Sequence, residues 1–202
     1  MIADRNIIVG ITGASGALYA VRFLKALFEK NFHVELIISE YGERLLQEEV
    51  GFDCRNETAI SFIERTYCIS SGKEAAVVKH DFHDLAAQIA SGSCITDGMV
   101  VIPCSMKSLA GIALGLSRNL IERAADVTLK EKRPLIVVPR ETPLNLIHIR
   151  NMAAIAEAGG VILPAMPAFY QKPRNICDLA DFITGKILNI LKIEHNLFNA
   201  WK

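Results

Sequence analysis

Seven consecutive residues, GITGASG at 10–16, place three glycines and the hydroxyls of Thr12 and Ser15 directly after a β-branched run. Glycine lets the backbone turn tightly and come close to a ligand, and the free N–H groups of a helix starting there attract an anion. The chemistry on offer is phosphate binding by the turn Gly13, Ala14 and Ser15. The spacing is GxxGxxG, so it is not the GxGxxG of dinucleotide sites, and no Gly-Lys-Ser/Thr follows as in nucleoside-triphosphate loops. A tight turn with Ser15 as helix cap accounts for the same residues. Ser39 closes the next apolar run where a dinucleotide site carries an acid for the ribose, which favours a mononucleotide.

A second turn of this kind is PCSMKSLAG at 103–111, where Ser105 suits an N-cap and Ser108 follows three residues later. With Met106 and Lys107 they open a helix, and their donors suit a phosphate; ordinary capping is the plainer alternative. Farther on, Lys130, Lys132 and Arg133 end a helical stretch, where cations complement the helix dipole. Arg140 and Glu141 follow a buried-looking strand, and PAMPAFY at 164–170 brings aromatic surface and the Tyr170 hydroxyl.

These residues must be held by the elements between them. Short apolar runs at 6–11, 33–38, 75–79, 98–103, 134–139 and 160–163 predict strands. Helical spacing predicts helices over 16–30, 43–50, 105–114, 119–130, 144–158 and 176–191. Such alternation builds a single doubly wound α/β domain over 1–202, of Rossmann or flavodoxin-like type, with a mostly parallel sheet and helices on both faces. The helix and tail from about 176 to 202 are expected to pack on the active site or on a neighbouring subunit. Ligands of such sheets collect at the carboxyl ends of the strands, where all four loops described above lie.

With 22 Lys and Arg against 22 Asp and Glu, the chain has no overall field for nucleic acid or an anionic membrane. Its apolar runs are too short for a membrane span, and residues 1–6 carry no apolar signal core, so a cytoplasmic protein is expected. Five cysteines without a CxxC pair predict free thiols and no metal site.

GITGASG, PCSMKSLAG, NLIERAADVTLKEKRPLIVVPRETP at 119–143 and PAMPAFY together resemble the UbiX-like flavin prenyltransferases over nearly the whole chain. That family shares its fold with flavin-dependent cysteine decarboxylases. The resemblance implies transfer of a dimethylallyl group from dimethylallyl phosphate to N5 and C6 of reduced FMN, without a metal. The prenylated FMN would serve a partner decarboxylase family. The resemblance assigns FMN to Gly13, Ala14, Ser15, Ser39, Ser105, Met106, Lys107, Ser108 and Arg140, with Arg123 added. It assigns the dimethylallyl phosphate to Tyr170, Lys186, Lys130, Arg140 and a Glu49 from a neighbouring subunit. Glu141 is the expected acid and base, with Ser15 and Lys130 beside it in catalysis. A large homo-oligomer, a dodecamer, is implied. Position 186 is Lys where many members carry Arg, replacing a bidentate fork by a point charge.

Two other readings are carried forward. A flavin-dependent cysteine-type decarboxylase would need a histidine beside the flavin, for which His80 and His83 are available although their polar stretch suggests surface positions. A non-catalytic FMN-binding regulatory subunit would not need Arg140, Glu141, Tyr170 and Lys186 together.

Overall fold

The computed structural model describes residues 5–69 and 75–198. Along them run β1 (Asn6–Ile11), α1 (Ala17–Glu29), β2 (His33–Ile38), α2 (Glu40–Val50), α3 (Ala59–Tyr67), β3 (Ala76–His80), β4 (Gly98–Cys104), α4 (Met106–Ala113), α5 (Leu120–Lys130), β5 (Leu135–Pro139), α6 (Leu146–Glu157), β6 (Val161–Ile162) and α7 (Ile176–Ile190). The strands form one sheet in the order β3-β2-β1-β4-β5-β6, and every pairing is parallel. The winding reverses between β1 and β4, which opens a crevice at their carboxyl ends.

Side-chain alternation along the strands divides the core in two. Ile7, Val9, Ile11, Val100 and Ile102 face α1, α3 and α7, while Ile8, Met99, Val101 and Cys104 face α4, α5 and α6. On the first face, Phe23, Leu24, Phe62, Ile183 and Leu188 are almost fully buried. Arg22 of α1 reaches Asp181 of α7 with two hydrogen bonds of 2.6 and 2.5 Å and lies 4.9 Å from the Tyr67 ring centroid. On the second face α6 buries only Ile155, while Leu146, Ile147 and Ile149 point outward.

Differences from the sequence-based expectation have local causes. Helix α2 begins at Glu40 and not at 43, because Ser39 caps it by accepting a hydrogen bond of 3.1 Å from Gly42 N. Helix α3 is an addition to the elements expected from the sequence, and its signal is present: Thr58 caps Ser61 N, and Ala59, Phe62 and Ile63 have helical spacing. Of the C-terminal tail expected to pack on the active site or a neighbour, Phe198 packs on Phe182 of its own chain with ring centroids 5.1 Å apart, and residues 199–202 lie outside the described residues.

Candidate functional site

The carboxyl rim is knitted together by backbone bonds between neighbouring strand ends. Ser39 N donates to Ile11 O, Arg140 N to Cys104 O and Ala165 N to Pro139 O. Thr12 is the central staple. Its hydroxyl donates to Pro103 O at 2.8 Å and accepts from Ser105 N at 2.7 Å, and the residue is 1% exposed. The sequence reading offered this hydroxyl to a phosphate; instead both its roles are spent joining β1 to the start of α4.

Three helices begin around one cavity of about 390 Å³. Ser39 caps α2, Ser105 caps α4 and Asn119 caps α5, and all three residues line it with Gly13, Lys107 and Ser108. Helix starts leave N–H groups without intrahelical partners and carry partial positive charge, so their convergence favours an anion. Ser105 Oγ accepts from Ser108 N at 3.3 Å and donates to Ser108 Oγ at 3.1 Å, which fixes both hydroxyls at the cavity wall. Gly13 is required by packing, because a Cβ there would collide with Tyr41, another lining residue. Thus Gly13, Ser39, Ser105, Lys107 and Ser108, named from the sequence, meet in one place. The remaining wall comes from Glu40, Phe82, His83, Arg118 and Glu122. A larger cavity of about 660 Å³ lies beyond α2 against the 53–56 loop, away from the first and fourth strand ends.

The start of α1 has a different occupant. Glu49 Oε2 accepts from Gly16 N and Ala17 N, both at 2.8 Å. Burial pushes the Glu49 carboxyl up, but the Ser15 hydroxyl, these N–H groups and the Arg140 charge outweigh it and hold it below the usual carboxylate range. Expected from a neighbouring subunit, Glu49 reaches the first loop of its own chain. Arg140 joins it there: its Nε donates to Ser15 O at 2.9 Å. Glu141 does not pair with Arg140; its carboxylate accepts from Thr142 N at 3.1 Å in its own loop.

Tyr170 and Lys186 both reach the Phe182 ring, the tyrosine edge-on with centroids 5.9 Å apart and the ammonium 5.4 Å from the centroid. Lys186 also lies 5.6 Å from the Phe198 centroid. Met106 is half-buried and packs on the core beneath α4, whereas Ala14 is 3% exposed and offers only backbone to a ligand.

Arg123 and Lys130 are not brought to the cavity of their own chain. Arg123 donates to Ala90 O at 3.2 Å and to Asp126 at 3.0 Å. Lys130 pairs with Glu131 at the far end of α5, roughly 16 Å along the helix from its cavity-side start. Arg133 is no surface cation, since it donates to Gly92 O at 2.8 Å and to Cys94 O, anchoring the small-residue turn upstream of β4. Nor are both histidines of the surface kind. His80 bonds Glu35 at 2.5 Å with its side chain 15% exposed, whereas His83, paired with Glu40 at 3.3 Å, lines the cavity. Among the described residues no cluster of His, Cys, Asp and Glu could hold a metal, and no helix is long and apolar enough to cross a membrane. Sequence reasoning missed Glu122, a buried carboxylate on the cavity wall; its only signal was an acid three residues after a capping Asn.

A family model described as Flavoprotein matches residues 1–199. Flavin prenyltransferase UbiX of Halalkalibacterium halodurans is 48% identical over 193 residues, spanning 96% of this chain and 91% of the relative. Flavin prenyltransferase LpdB of Lactiplantibacillus plantarum is 42% identical, spanning 98% of both chains. The crystal structure of AnUbiX (PadA1) in complex with FMN and dimethylallyl pyrophosphate matches with a TM-score of 0.86 and 39% identity, over 98% of this chain and 97% of that one. A dodecameric FMN-dependent UbiX-like decarboxylase from Escherichia coli O157:H7 matches equally well, with a TM-score of 0.86 and 39% identity over 98% and 99%. A PPC decarboxylase variant in complex with pantothenoylaminoethenethiol, 16% identical with a TM-score of 0.61, shares the fold.

A parallel sheet of this order, with three helix starts turned onto one cavity at the reversal point, defines a doubly wound α/β protein with an anion-favouring site at its carboxyl rim. The chain belongs to the Flavoprotein family and, within it, to the flavin prenyltransferases.

Proposed function

We propose that this chain joins a dimethylallyl group to reduced FMN, holding FMN by its phosphate in the cavity of Ser39, Ser105, Lys107 and Ser108. The observation that carries this reading is the convergence of three capped helix starts on that cavity, next to the Ser15, Glu49 and Arg140 cluster. The residues present fit FMN: hydroxyls, N–H groups and a lysine suit a phosphate, and the backbone at 13–15 leads from it toward Arg140. Reduced flavin supplies a nucleophilic N5. The chain must then stabilise the departing phosphate in a water-poor place, for which fixed donors aimed at the growing charge are the effective means. Arg140, Lys186 and the Tyr170 hydroxyl are donors of that kind, and Glu141, in the loop after β5, is the group we assign to hold and return the proton that ring closure at C6 moves.

The donor we assign is dimethylallyl monophosphate, and the product is prenylated FMN for a decarboxylase in the cytoplasm. We further propose that the chain works as a homo-oligomer, a dodecamer, with Arg123 and Lys130 serving a neighbour's site. The outward Leu146, Ile147 and Ile149 of α6, with Met166 and Phe169 beside the rim, supply apolar surface for such contacts. If so, mixing inactive Lys130→Ala and Tyr170→Phe subunits should restore activity, because some interfaces then hold one intact site; no recovery would assign Lys130 to its own chain's surface.

Anaerobic incubation with reduced FMN and either dimethylallyl monophosphate or pyrophosphate, followed by mass analysis of the flavin, tests the reaction. One added C5 unit with the monophosphate is expected. An unchanged flavin with both donors would leave only a flavin-binding role.

A further inference from the structure

Arg118 stands on the wall of the flavin cavity, one residue before the cap of α5. Its partner is Glu122, whose side chain is 2% exposed while that of Arg118 is 54% exposed. The arginine holds this carboxylate three times: its backbone N–H at 2.9 Å, its Nε at 3.3 Å and its second terminal nitrogen at 3.1 Å. Ser117, just before it, has φ 48°, a left-handed conformation disfavoured for residues with a Cβ, so the chain is bent to bring Arg118 round onto Glu122. Glu122 itself is wedged against Gly111 of α4, where a Cβ would collide with its carboxylate. The buried acid is therefore fixed between the two helices whose starts face the cavity, and the guanidinium is fixed on it.

An ordinary surface pair would leave both charges in water. Here the negative end is buried and the positive end is half exposed, on a cavity wall shared with Ser105, Lys107 and Ser108. A guanidinium carries more N–H donors than its two side-chain bonds to Glu122 use, and its planar fork matches phosphate geometry. The other acid of the wall, Glu40, is engaged by His83 at 3.3 Å.

We propose that Arg118 is a phosphate-binding residue of this cavity that makes the chain select FMN over riboflavin, with Glu122 as its positioning residue. The proposal rests on the flavin reading of the cavity given above and goes beyond it in naming what reads the phosphate.

The test is equilibrium binding of oxidised FMN and of riboflavin to the full chain and its variants, followed by flavin fluorescence at fixed protein concentration and at two salt concentrations. Arg118→Ala should weaken FMN by about tenfold to a hundredfold, the range for a lost charge-assisted hydrogen bond, and leave riboflavin unchanged. It should also lower the salt dependence of FMN binding. Arg118→Lys should recover part of the loss, since a point charge replaces the fork. Glu122→Gln should reduce the preference for FMN without abolishing it; should that buried variant fail to fold, the exposed Arg118 variants decide alone. Equal weakening of both ligands by Arg118→Ala, or an unchanged FMN affinity, would overturn the proposal. Wild type that binds neither flavin would instead overturn the reading of the cavity, and the proposal with it.

Discussion

Thr12 offers the sharpest test of how the rim is built. Replacing it by valine keeps the shape but removes the hydroxyl that donates to Pro103 O and accepts from Ser105 N. Pro103 O retains the Thr12 N–H bond at 3.2 Å, so it is not orphaned, whereas Ser105 N loses its partner. A half-buried donor left without its partner costs at most the buried range of about 1–3 kcal/mol and the second bond contributes about 1 kcal/mol, so Thr12→Val should lose roughly 2–4 kcal/mol. Thr12→Ser keeps the hydroxyl and deletes one methyl, costing about 0.8 kcal/mol. With a urea slope of about 3 kcal/mol/M, the valine variant should unfold roughly 1 M earlier than wild type, and the serine variant only about 0.3 M earlier. The assay is urea unfolding by circular dichroism, at one protein concentration so that assembly is held constant. Because Ser105 caps α4, FMN binding should weaken in the valine variant and hold in the serine variant. If valine and serine variants unfold together, the staple carries no weight and the hydroxyl is a bystander.

Other outcomes follow from the same geometry. Glu49 has a carboxyl held below its usual range, so its stabilising contribution is complete above that range and disappears as the pH falls through the lowered value; Glu49→Gln should flatten the acid limb of a thermal-midpoint profile between about pH 3 and pH 7. Gly111→Ala should destabilise by about 1–3 kcal/mol in spite of the better helix propensity of alanine, because the new Cβ must displace the buried Glu122 carboxylate; a more stable variant in urea would refute this. Asp181→Ala strands Arg22 in a site where both side chains are at most 15% exposed, which should cost about 3–5 kcal/mol; the double change Arg22→Met with Asp181→Leu should recover most of it.

Much of this architecture was legible because the strands are short, β-branched and bounded by the turn residues that start the next helix. The runs at 6–11 and 33–38 are strands over those same residues, since both faces of a central strand must be apolar. The turn at 103–111 was legible for the same reason, since capping chemistry is local and Ser105 and Ser108 interact within one turn; at 10–16 it was not, because Gly16 and not Ser15 stands at the N-cap of α1, with no side-chain cap. What could not be read is the partner each loop finds across the sheet. Nothing in GITGASG says that Thr12 faces Pro103, nor that a carboxylate 33 positions after Gly16 will cap the same helix. Arg140 and Glu141 are adjacent in the chain and opposite in charge, which suggests a pair, but adjacent side chains leave an extended loop in different directions and each found a nearer partner. The cavity wall from Arg118 to Glu122 depends on the packing of α5 against α4, a contact that periodicity does not encode.

The sequence presents two anion-ready helix starts, and the structure treats them unequally. At α1 the N–H groups of Gly16 and Ala17 are already satisfied by Glu49, so an anion arriving there meets a carboxylate and not open donors. At α2, α4 and α5 the caps surround open space. In the proposed reaction the phosphate that stays bound is the flavin's, and it is best held at this second place, where helix starts line the cavity. The phosphate that leaves needs donors held in place around it, and beside α1 those are Arg140 at the first loop and, farther along the rim, Tyr170 and Lys186 on the Phe182 ring. In the proposed reaction Glu49 thus has a physical reason to sit on α1: by occupying its donors it keeps the departing phosphate from being trapped at a helix start, and it sets the negative charge of the site close to Ser15 and Arg140.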